Sequence, residues 1–434
     1  MRTKLEEIAK VAKERPKEVF TSLAHLINEG SIIMCHKEME KGKAAGVDSI
    51  TKEEYAENLE QNVSGLISRM KKHSYRPQPA RRTYIDKPGT NKKRPLGIPA
   101  YEDKLVQSAL AKILNAIFEQ EFLNCSFGFR PKRGCHDALS ALDKILERRP
   151  VKYIVDADIR GFFEHVDHKW LMKFIEHRIK DPNIIRLITR FLKAGVMEAG
   201  VKYDTPEGTP QGGVISPILA NIYLHYVLDL WFEKKVRRQF SGTAFMVRYA
   251  DDSVFCFERK EEAEEFYKML VERLGEFNLE VAEEKTRIVD FGNDDDDDHG
   301  TFDFLGFTHY RGKSRNGTLR VKRKTSRKKF KVCLAKCKEW IKLNRHMAKN
   351  LLMKKLNQKL SGNFRYYGIS DNWQMLSKFR NEVKKVLFKY LNRRSQKRSY
   401  NHEKFKLFLE KYPLIGPKIY VNIFKLRNDI GYTV

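Results

Sequence analysis

The stretch FMVRYADDSVFCF, residues 245–257, places two aspartates, Asp251 and Asp252, between two apolar runs. Runs rich in aromatic and β-branched residues are typical of strands, so the stretch predicts a β-hairpin with the aspartates at its turn. Asn-Gly or Asp-Gly would form a two-residue turn more readily, and adjacent carboxylates repel one another. A departure from local preference at the tip of a well-formed hairpin favours a functional role for that tip.

Adjacent carboxylates suit divalent cations, because hard oxygen ligands bind magnesium together with substrate phosphates. Two such ions, about 3.5–4 Å apart, can hold the attacking and leaving oxygens of a phosphoryl transfer, and they require a further carboxylate nearby. The segment VKYIVDADI, residues 151–159, predicts a strand that ends in Asp156 and Asp158. Alternation places both side chains on one face, so spacing alone does not choose between them. Either could instead cap the next helix or pair with a lysine.

The composition favours a polyanionic partner. Among 434 residues, Lys and Arg number 84 against 56 Asp and Glu, for a net charge of +28, and the 27 Phe and 18 Tyr offer surfaces for base stacking. The alternative is a ribosome-associated or merely soluble basic protein. The six cysteines form no CxxC pair, so neither zinc nor a disulfide framework is indicated. A charged start and the lack of an apolar run of about 18 residues predict a cytoplasmic protein, nucleoid-associated when it acts on DNA, with no membrane partner.

The order of predicted elements indicates an α+β fold, with an antiparallel sheet and helices on one face. Residues 1–75 are mostly helical in pattern, and the prolines of residues 75–99 predict short strands joined by a hairpin at Pro88-Gly89. We expect Asp167 to cap a helix, and a further helix over residues 260–277.

The composition changes from residue 311 onward. Residues 311–350 hold 16 Lys and Arg with one acid, Glu339, which predicts a boundary near 310–325 and basic amphipathic helices beyond it. The acidic run Asp294–Asp298 has two interpretations, a solvated turn or a cation site. A rigid cation cage requires spaced ligands, so the turn is favoured.

Seven segments, in order, resemble the consecutive motifs of bacterial group II intron-encoded reverse transcriptases. An eighth, KGKAAGVDS (41–49), resembles the N-terminal motif that group II and non-LTR enzymes share. YADD alone would be a weak signal, but seven ordered motifs are specific, and the resemblance covers roughly residues 40–400. The seven segments are IDKPGTNKKRPLGIP (85–99), SFGFRP (126–131), VDADIRGFFEHVDH (155–168), GTPQGGVISPILANIYL (208–224), RYADD (248–252), LEVAEEKTRI (279–288) and FDFLGF (302–307).

The resemblance implies a right-hand polymerase, with fingers and palm built on antiparallel sheet, followed by an α-helical thumb. It implies five parts, in chain order. They are an N-terminal extension (1–75), fingers (76–150), a palm with the catalytic aspartates (151–310), a basic helical thumb or maturase domain (311–395) and a basic C-terminal tail, a candidate remnant of a DNA-binding region (396–434).

The resemblance also chooses between the two strand-end aspartates. The family's catalytic aspartate stands five residues before an aromatic that lies under the incoming sugar, which Asp158 and Phe163 satisfy and Asp156 does not. It therefore implies that Asp158, Asp251 and Asp252 are catalytic and bind two Mg²⁺ ions, for which Mn²⁺ can substitute. The backbone carbonyl of Ile159 would complete one metal shell.

Other residues acquire roles by the same resemblance. Phe163 would exclude ribonucleotides, with Phe162 as the second candidate if it is not core, and the cations of the finger hairpin would bind the triphosphate. The alternative for those cations is an ordinary charged surface hairpin. The residues assigned to nucleotide binding are Lys87, Arg94, Phe163, Gln211 and Gly212.

A third group is assigned to the template and primer. Phe127 and Phe129 could line the template path or belong to the core, and Lys285 could support the palm acids. The residues assigned to template and primer binding are Phe127, Phe129, Arg130, Lys285, Lys328 and Lys329.

The resemblance implies copying of an RNA template into DNA from a DNA or RNA primer with dNTPs. It further implies binding of group II intron RNA, a maturase role in splicing, and a DNA target during mobility. The paired cysteines and histidines of the family's HNH endonuclease are not found after residue 400, so we expect no such domain. Two alternatives remain open, a domesticated reverse transcriptase in phage defence or repair and a non-catalytic RNA-binding splicing factor.

Overall fold

The computed structural model describes residues 2–86, 93–204, 207–208, 212–292, 300–314, 316–394 and 400–426. The chain divides into two compact units. Unit 1 comprises Met1–Gly134, Ala157–Phe255 and Glu261–Arg287, and unit 2 comprises Cys135–Asp156, Cys256–Lys260 and Ile288–Val434.

Helices begin where the local sequence supplies a cap. Asn28 and Thr51 each form a capping box, and Asp167 accepts a hydrogen bond from the backbone N–H of Trp170, which confirms it as an N-cap. The α-helices are α1 (Arg2–Glu14), α2 (Glu29–Glu38), α3 (Lys52–Glu57), α4 (Leu59–Lys71), α5 (Tyr101–Phe118), α6 (Cys135–Arg148), α7 (His168–Glu176), α8 (Pro182–Leu192), α9 (Ser216–Leu224), α10 (Arg237–Gln239), α11 (Lys260–Gly275), α12 (Arg327–Asn344), α13 (Lys349–Tyr367), α14 (Trp373–Leu391) and α15 (His402–Lys411). Short 3-10 helices lie at Ala24–Leu26, Phe162–Glu164 and Ile423–Lys425, and π-helical turns at His225–Asp229 and Phe232–Val236.

The strands of the described residues form three sheets, with orders β2-β1-β4-β5, β6-β7-β3-β8 and β11-β10-β9. The hairpin β1–β2 is antiparallel from Arg81 opposite Ile98 to Asp86 opposite Lys93, as the sequence predicts. Its turn, with Pro88-Gly89, lies outside the described residues. The strands are β1 (Ala80–Asp86), β2 (Lys93–Ile98), β3 (Tyr153–Asp158), β4 (Val196–Glu198), β5 (Val201–Tyr203), β6 (Ala244–Tyr249), β7 (Asp252–Phe257), β8 (Arg287–Asp290), β9 (Phe302–Phe304), β10 (Phe307–Lys313) and β11 (Leu319–Thr325).

The core of unit 1 surrounds helix α5, which buries apolar residues on more than one face and packs against α1, α2 and α9. Strand β6 is buried along almost its whole length, and only Tyr249, its last residue, is partly exposed. A strand buried on both faces is typical of the centre of a core, and it gives the hairpin that follows a rigid base.

Unit 2 contains the sheet β11-β10-β9 and the helices α12 to α15, of which α12 and α14 pack together. The composition change at residue 311 precedes the first helix of this region, because β11 occupies Leu319–Thr325 and α12 begins at Arg327, just beyond the boundary predicted near 310–325. Alternation explains the strand: Val321, Arg323 and Thr325 are buried, with Lys322 and Lys324 between them less buried. A period of two fits a strand and does not fit a helix.

The predicted α+β class with antiparallel sheets is confirmed, and the fold is consistent with a right-hand polymerase with a helical C-terminal region. The five-part division of the chain stays a prediction. None of the helices in the described ranges is both long and apolar enough to cross a membrane.

Candidate active site

Two neighbouring strands bring the predicted carboxylates together. The backbone N–H of Lys152, before β3, donates to the carbonyl of Phe257 at the end of β7 (2.9 Å), and Asp158 at the end of β3 interacts electrostatically with Asp251, just before β7, so the two strands run antiparallel. Six residues further along β3, this pairing brings Asp158 level with the start of β7, where Asp251 and Asp252 lie. The structure therefore unites the three aspartates that the family resemblance selects.

The electrostatics of the site agree with this placement. Burial raises the pKa of Asp251, and the negative charge of Asp158 raises it further, whereas Arg94 and Arg248 oppose the shift. Asp251 and Asp158 therefore lie within electrostatic reach of each other, as carboxylates that share a cation must. Arg94, on the finger hairpin, lies within the same reach.

The end of β3 is held by the segment that contains Lys285. The carbonyl of Asp158 accepts a hydrogen bond from the backbone N–H of Ala282 (2.8 Å), and Arg160 donates to the carbonyl of Glu280 (2.8 Å). The ammonium of Lys285 pairs with the Asp158 carboxylate. Lys285 thus lies where it supports the palm acids, and its contact with primer or template stays a prediction.

The donor chemistry at this place fits a hard divalent cation. Carboxylate oxygens are the ligands that magnesium and manganese prefer, and a cation would relieve the repulsion that raises the pKa of Asp251. Among the described residues, no three His, Cys, Asp or Glu side chains are yet arranged to hold a metal ion. Lys285, paired with Asp158, supplies positive charge at one of the three carboxylates.

A buried arginine sets the shape of the aspartate turn. Arg248 is fully buried, pairs with Asp229 through two nitrogens (2.6 and 2.7 Å) and donates to the carbonyl of Ala250 (2.9 Å). It also donates to Asn221 (3.2 Å) and to the hydroxyl of Ser126 (2.8 Å). All five of its N–H groups are used, and Ala250 adopts a left-handed φ of 58° next to Asp251 and Asp252.

The SFGF motif packs directly on this turn. The backbone N–H of Phe127 donates to the carbonyl of Arg248 (2.9 Å), and Asn221 donates to the carbonyl of Gly128 (2.8 Å). A Cβ at Gly128 would overlap the backbone of Ala250, so only glycine permits this approach. Sequence reasoning missed Arg248 and Gly128 as positioning residues, although both stand inside quoted motifs.

The predicted sugar gate lies on the turn after β3. Gly161, with φ 55°, begins the short helix that carries Phe162 and Phe163. Phe162 is core, as the sequence analysis favoured, whereas Phe163 is partly exposed and meets Phe162 edge-on at 5.3 Å. A Cβ at Gly208 would lie 2.7 Å from the carbonyl oxygen of Glu164, so Gly208 lies against the backbone of the short helix that carries Phe163.

The remaining nucleotide-binding assignments are only partly visible. Lys87 and Gln211 lie outside the described residues. Gly212, at φ 108°, brings its backbone against β2, where a Cβ would lie 2.8 Å from the carbonyl oxygen of Gly97. That contact gives a structural reason for this glycine, and its contact with a nucleotide stays a prediction.

The structure separates the three residues assigned to the template path. Phe127 is fully buried, which agrees with the core alternative and removes its ring from any template surface. Arg130 is also buried, and its five N–H groups all donate to Glu119 and to the carbonyls of Phe122, Leu123 and Ser126. Its guanidinium is thus committed to the fold. Phe129, at φ 59° and 48% exposed, remains able to contact a strand.

Lys328 and Lys329 are exposed in the first turn of α12, in unit 2. The first turn holds no acidic residue, and cations there oppose the helix dipole. A locally unfavourable placement of charge is consistent with a polyanionic partner, and the assignment of both lysines stays a prediction.

Comparisons with known proteins match the part of the chain that carries these residues. The family described as "Reverse transcriptase (RNA-dependent DNA polymerase)" matches residues 85–309. The chain is 40% identical over 231 residues to the group II intron-encoded protein LtrA of Lactococcus lactis subsp. cremoris, across 52% of this chain but only 38% of LtrA. It is 32% identical over 309 residues to protein YkfC of Escherichia coli K12, across 64% of this chain and 78% of YkfC.

Among solved structures, a telomerase from Candida albicans, in complex with a fragment of telomeric RNA, is similar over 86% of this chain and 69% of that chain. The TM-score is 0.45 and the sequence identity 13%, a likeness too distant to argue from.

Proposed function

Because the chain belongs to the reverse transcriptase family, we propose that it is an RNA-directed DNA polymerase of the group II intron type. The observation that carries the proposal is the antiparallel pairing of β3 and β7, which places Asp158 beside Asp251 and Asp252. The reaction is attack of a primer 3′-hydroxyl on the α-phosphate of a dNTP, with release of pyrophosphate.

The three aspartates would hold two Mg²⁺ ions, or Mn²⁺ in their place, with the carbonyl of Ile159 as an additional ligand. When bound, these ions supply positive charge to the attacking and leaving oxygens. Arg94, within electrostatic reach of Asp251, is placed on the finger hairpin to bind the triphosphate, with Lys87 as its proposed partner.

Phe163 would lie under the incoming sugar and exclude a 2′-hydroxyl by contact. Its partial exposure and its position five residues after Asp158 support that role. Gln211 and Gly212 would border the nucleotide, and Phe129 the template. Lys285 would orient Asp158, with which it pairs.

The proposed partners are an RNA template, a DNA or RNA primer and dNTPs. Intron RNA and a DNA target are proposed as further partners, with a maturase role in splicing, because LtrA is a group II intron-encoded protein. The exposed cations of unit 2, among them Lys328 and Lys329, would bind the phosphates of an RNA helix.

The test is primer extension on an RNA template with magnesium. We expect Asp158→Asn to abolish synthesis, because a neutral amide removes a metal ligand, and to leave RNA affinity nearly unchanged. The matched control is Asp156→Asn, two residues earlier on the same face of β3, which should retain synthesis. If only the Asp156→Asn variant lost synthesis, the catalytic residue would be Asp156 and the assignment of Asp158 would be wrong. If the wild-type chain made no DNA, a non-catalytic RNA-binding protein would be favoured.

The gate is tested separately with ribonucleotides. Phe163→Val should admit rNTPs into the product, because the smaller side chain leaves room for a 2′-hydroxyl. The measurement is the ratio of kcat/KM for dNTP and rNTP, and an unchanged ratio would remove Phe163 from the gate.

A further inference from the structure

A cavity of about 490 Å³ opens in unit 1 beside helices α4 and α8 and the turn that leads into α2. Its volume is in the range of sites for small organic ligands. Among the described residues that line it, none belongs to the proposed polymerase site. The cavity therefore has no role in the reaction described above.

The rim of the cavity is cationic. Lys71, Arg186 and Arg190 line it together with His25 and His73, and none of its described lining residues is acidic. The floor is apolar, formed in the main by Ile27, Ile67, Met70 and Leu187. A cavity with an apolar floor and a rim that carries positive but no negative side chains suits a ligand that has one flat apolar part and one anionic part.

The cations are held close together without carboxylates to neutralise them. Arg190 donates to the carbonyls of Tyr75 (2.7 Å) and His73 (3.2 Å), and Arg76 donates to the carbonyl of His73 (2.8 Å). Burial and the nearby charges of Arg76 and Arg186 lower the pKa of Arg190, which indicates mutual repulsion. Among the described residues, none of these arginines forms an ion pair, so their positive charge is available to a ligand.

The carboxylate at the start of α8 does not supply the missing charge. Asp181 is buried and accepts hydrogen bonds from four backbone N–H groups, those of Leu23, Ala24, Asn183 and Ile184. Its charge is thus used to cap helices, and the repulsion among the arginines stays uncompensated.

We propose that this cavity binds one nucleotide unit of single-stranded RNA, with the phosphate on the cationic rim and the base on the apolar floor. Phosphate is the anion that arginine binds best through its planar fork, and stacking on apolar surface tolerates any base. The inference goes beyond the polymerase reaction and does not depend on it, because no residue is shared. It adds a second point at which unit 1 holds an RNA strand.

The test compares two charge-matched double variants of the full chain. Lys71→Gln with Arg186→Gln removes two rim cations, and neither side chain is needed to hold the helix ends. The control, Lys72→Gln with Lys193→Gln, removes two exposed cations that do not line the cavity. The probe is a fluorescein-labelled 12-nucleotide oligouridylate, and its Kd is measured by anisotropy at several salt concentrations.

We expect the rim variant to bind the probe about tenfold more weakly than the control, with a salt slope lower by about 0.7 per lost phosphate contact. Equal loss in both variants would overturn the proposal, because the effect would then belong to net charge. Displacement of the probe by polyglutamate as well as by unlabelled RNA would also overturn it, in favour of an acidic protein partner.

A competition experiment with a mononucleotide distinguishes binding of an RNA strand from binding of a free nucleotide, since both carry a base and a phosphate. UMP at equal nucleotide concentration should displace the probe far less than unlabelled oligouridylate, and equal displacement would identify a free-nucleotide site and overturn the strand proposal. At saturating primer and template, extension by the rim variant should match that of the control. Failure of the wild-type chain to extend a primer would contradict the polymerase proposal, but it would not change the comparison of Kd values between the rim variant and the control.

Discussion

A fully buried arginine lies in each unit, and the two arginines differ in how their N–H groups are used. Arg248 in unit 1 and Arg323 in unit 2 each pair with a buried aspartate, Asp229 and Asp143 respectively. Arg248 uses all five N–H groups. Within the described part of the chain, Nε and Nη1 of Arg323 have no hydrogen-bond partner.

The residues around Arg323 also include buried polar atoms that lack hydrogen bonds within the described ranges. In unit 2, both ring nitrogens of His309, Nε of Arg320 and Oδ2 of Asp371 are also buried without a hydrogen-bond partner in the described residues. Each buried polar group left unpaired costs about 1–3 kcal/mol, whereas a closed network fixes one arrangement. The saturated network therefore fixes the turn that carries Asp251 and Asp252, and the unsaturated one lies in unit 2.

Replacing the two arginines in turn has the largest expected effect. Arg248→Met leaves Asp229 buried without its partner and should lower the free energy of unfolding by about 3–5 kcal/mol. Arg323→Met should cost less, because two unpaired nitrogens disappear with it and because burial raises the pKa of Asp143 to about 6, which makes its protonation easy. Urea unfolding at pH 7 measures both, and equal losses would contradict the comparison.

The catalytic turn can be disturbed without touching a charge. In Gly128→Ala, the new Cβ overlaps the backbone of Ala250, so the turn must shift and primer extension should fall by about a hundredfold. Gly65→Ala is the matched control, since a Cβ there meets nothing within 4 Å in α4. A Gly128→Ala enzyme with full activity would show that the close packing of the two segments is unnecessary.

The unsaturated cluster should be sensitive to acid through His309. Burial, and to a smaller extent the charge of Arg323, lower the pKa of His309 to about 3, so the folded state favours the neutral imidazole. Stability is then fully present above the unfolded pKa of about 6.5 and is lost as the pH falls toward 3, by about 2 kcal/mol between pH 7 and pH 5.

His309→Phe removes this titration and keeps the stack on Phe302, whose ring centroid lies 5.0 Å from that of His309. We expect the variant to be at least as stable as the wild type at pH 7 and to lose about 2 kcal/mol less on going to pH 5. Unfolding curves at the two pH values decide this. A pH dependence identical to that of the wild type would mean that the ring is not kept neutral.

Much of the catalytic centre was predictable because its signals are local. The aromatic and β-branched runs of residues 151–159 and 245–257 predict the strands β3, β6 and β7. The family resemblance, through its five-residue spacing from aspartate to aromatic, selects Asp158 over Asp156. The N-cap at Asp167 was predictable for the same reason, since a cap depends on residues within one turn.

The template assignments show where local signals fail. Phe127, Phe129 and Arg130 adjoin one another in sequence, yet the first is core, the second is exposed and the third is bound to Glu119. A charged residue at position 130 was assigned to nucleic-acid binding, but a guanidinium can equally donate hydrogen bonds to the backbone carbonyls of a neighbouring turn. Only the position of neighbouring segments distinguishes these outcomes.

The sequence by itself determined the two strands, the turn between β6 and β7, the basic character of the chain and its family, because each depends on periodicity or on ordered short motifs. Tertiary structure alone decided that Arg248 lies beneath the aspartates, that Gly128 is needed at Ala250 and that a cationic cavity forms beside α8. The glycine contact and the cavity join segments more than a hundred residues apart. Their partners are chosen by packing and by the satisfaction of buried polar groups, which no local pattern records.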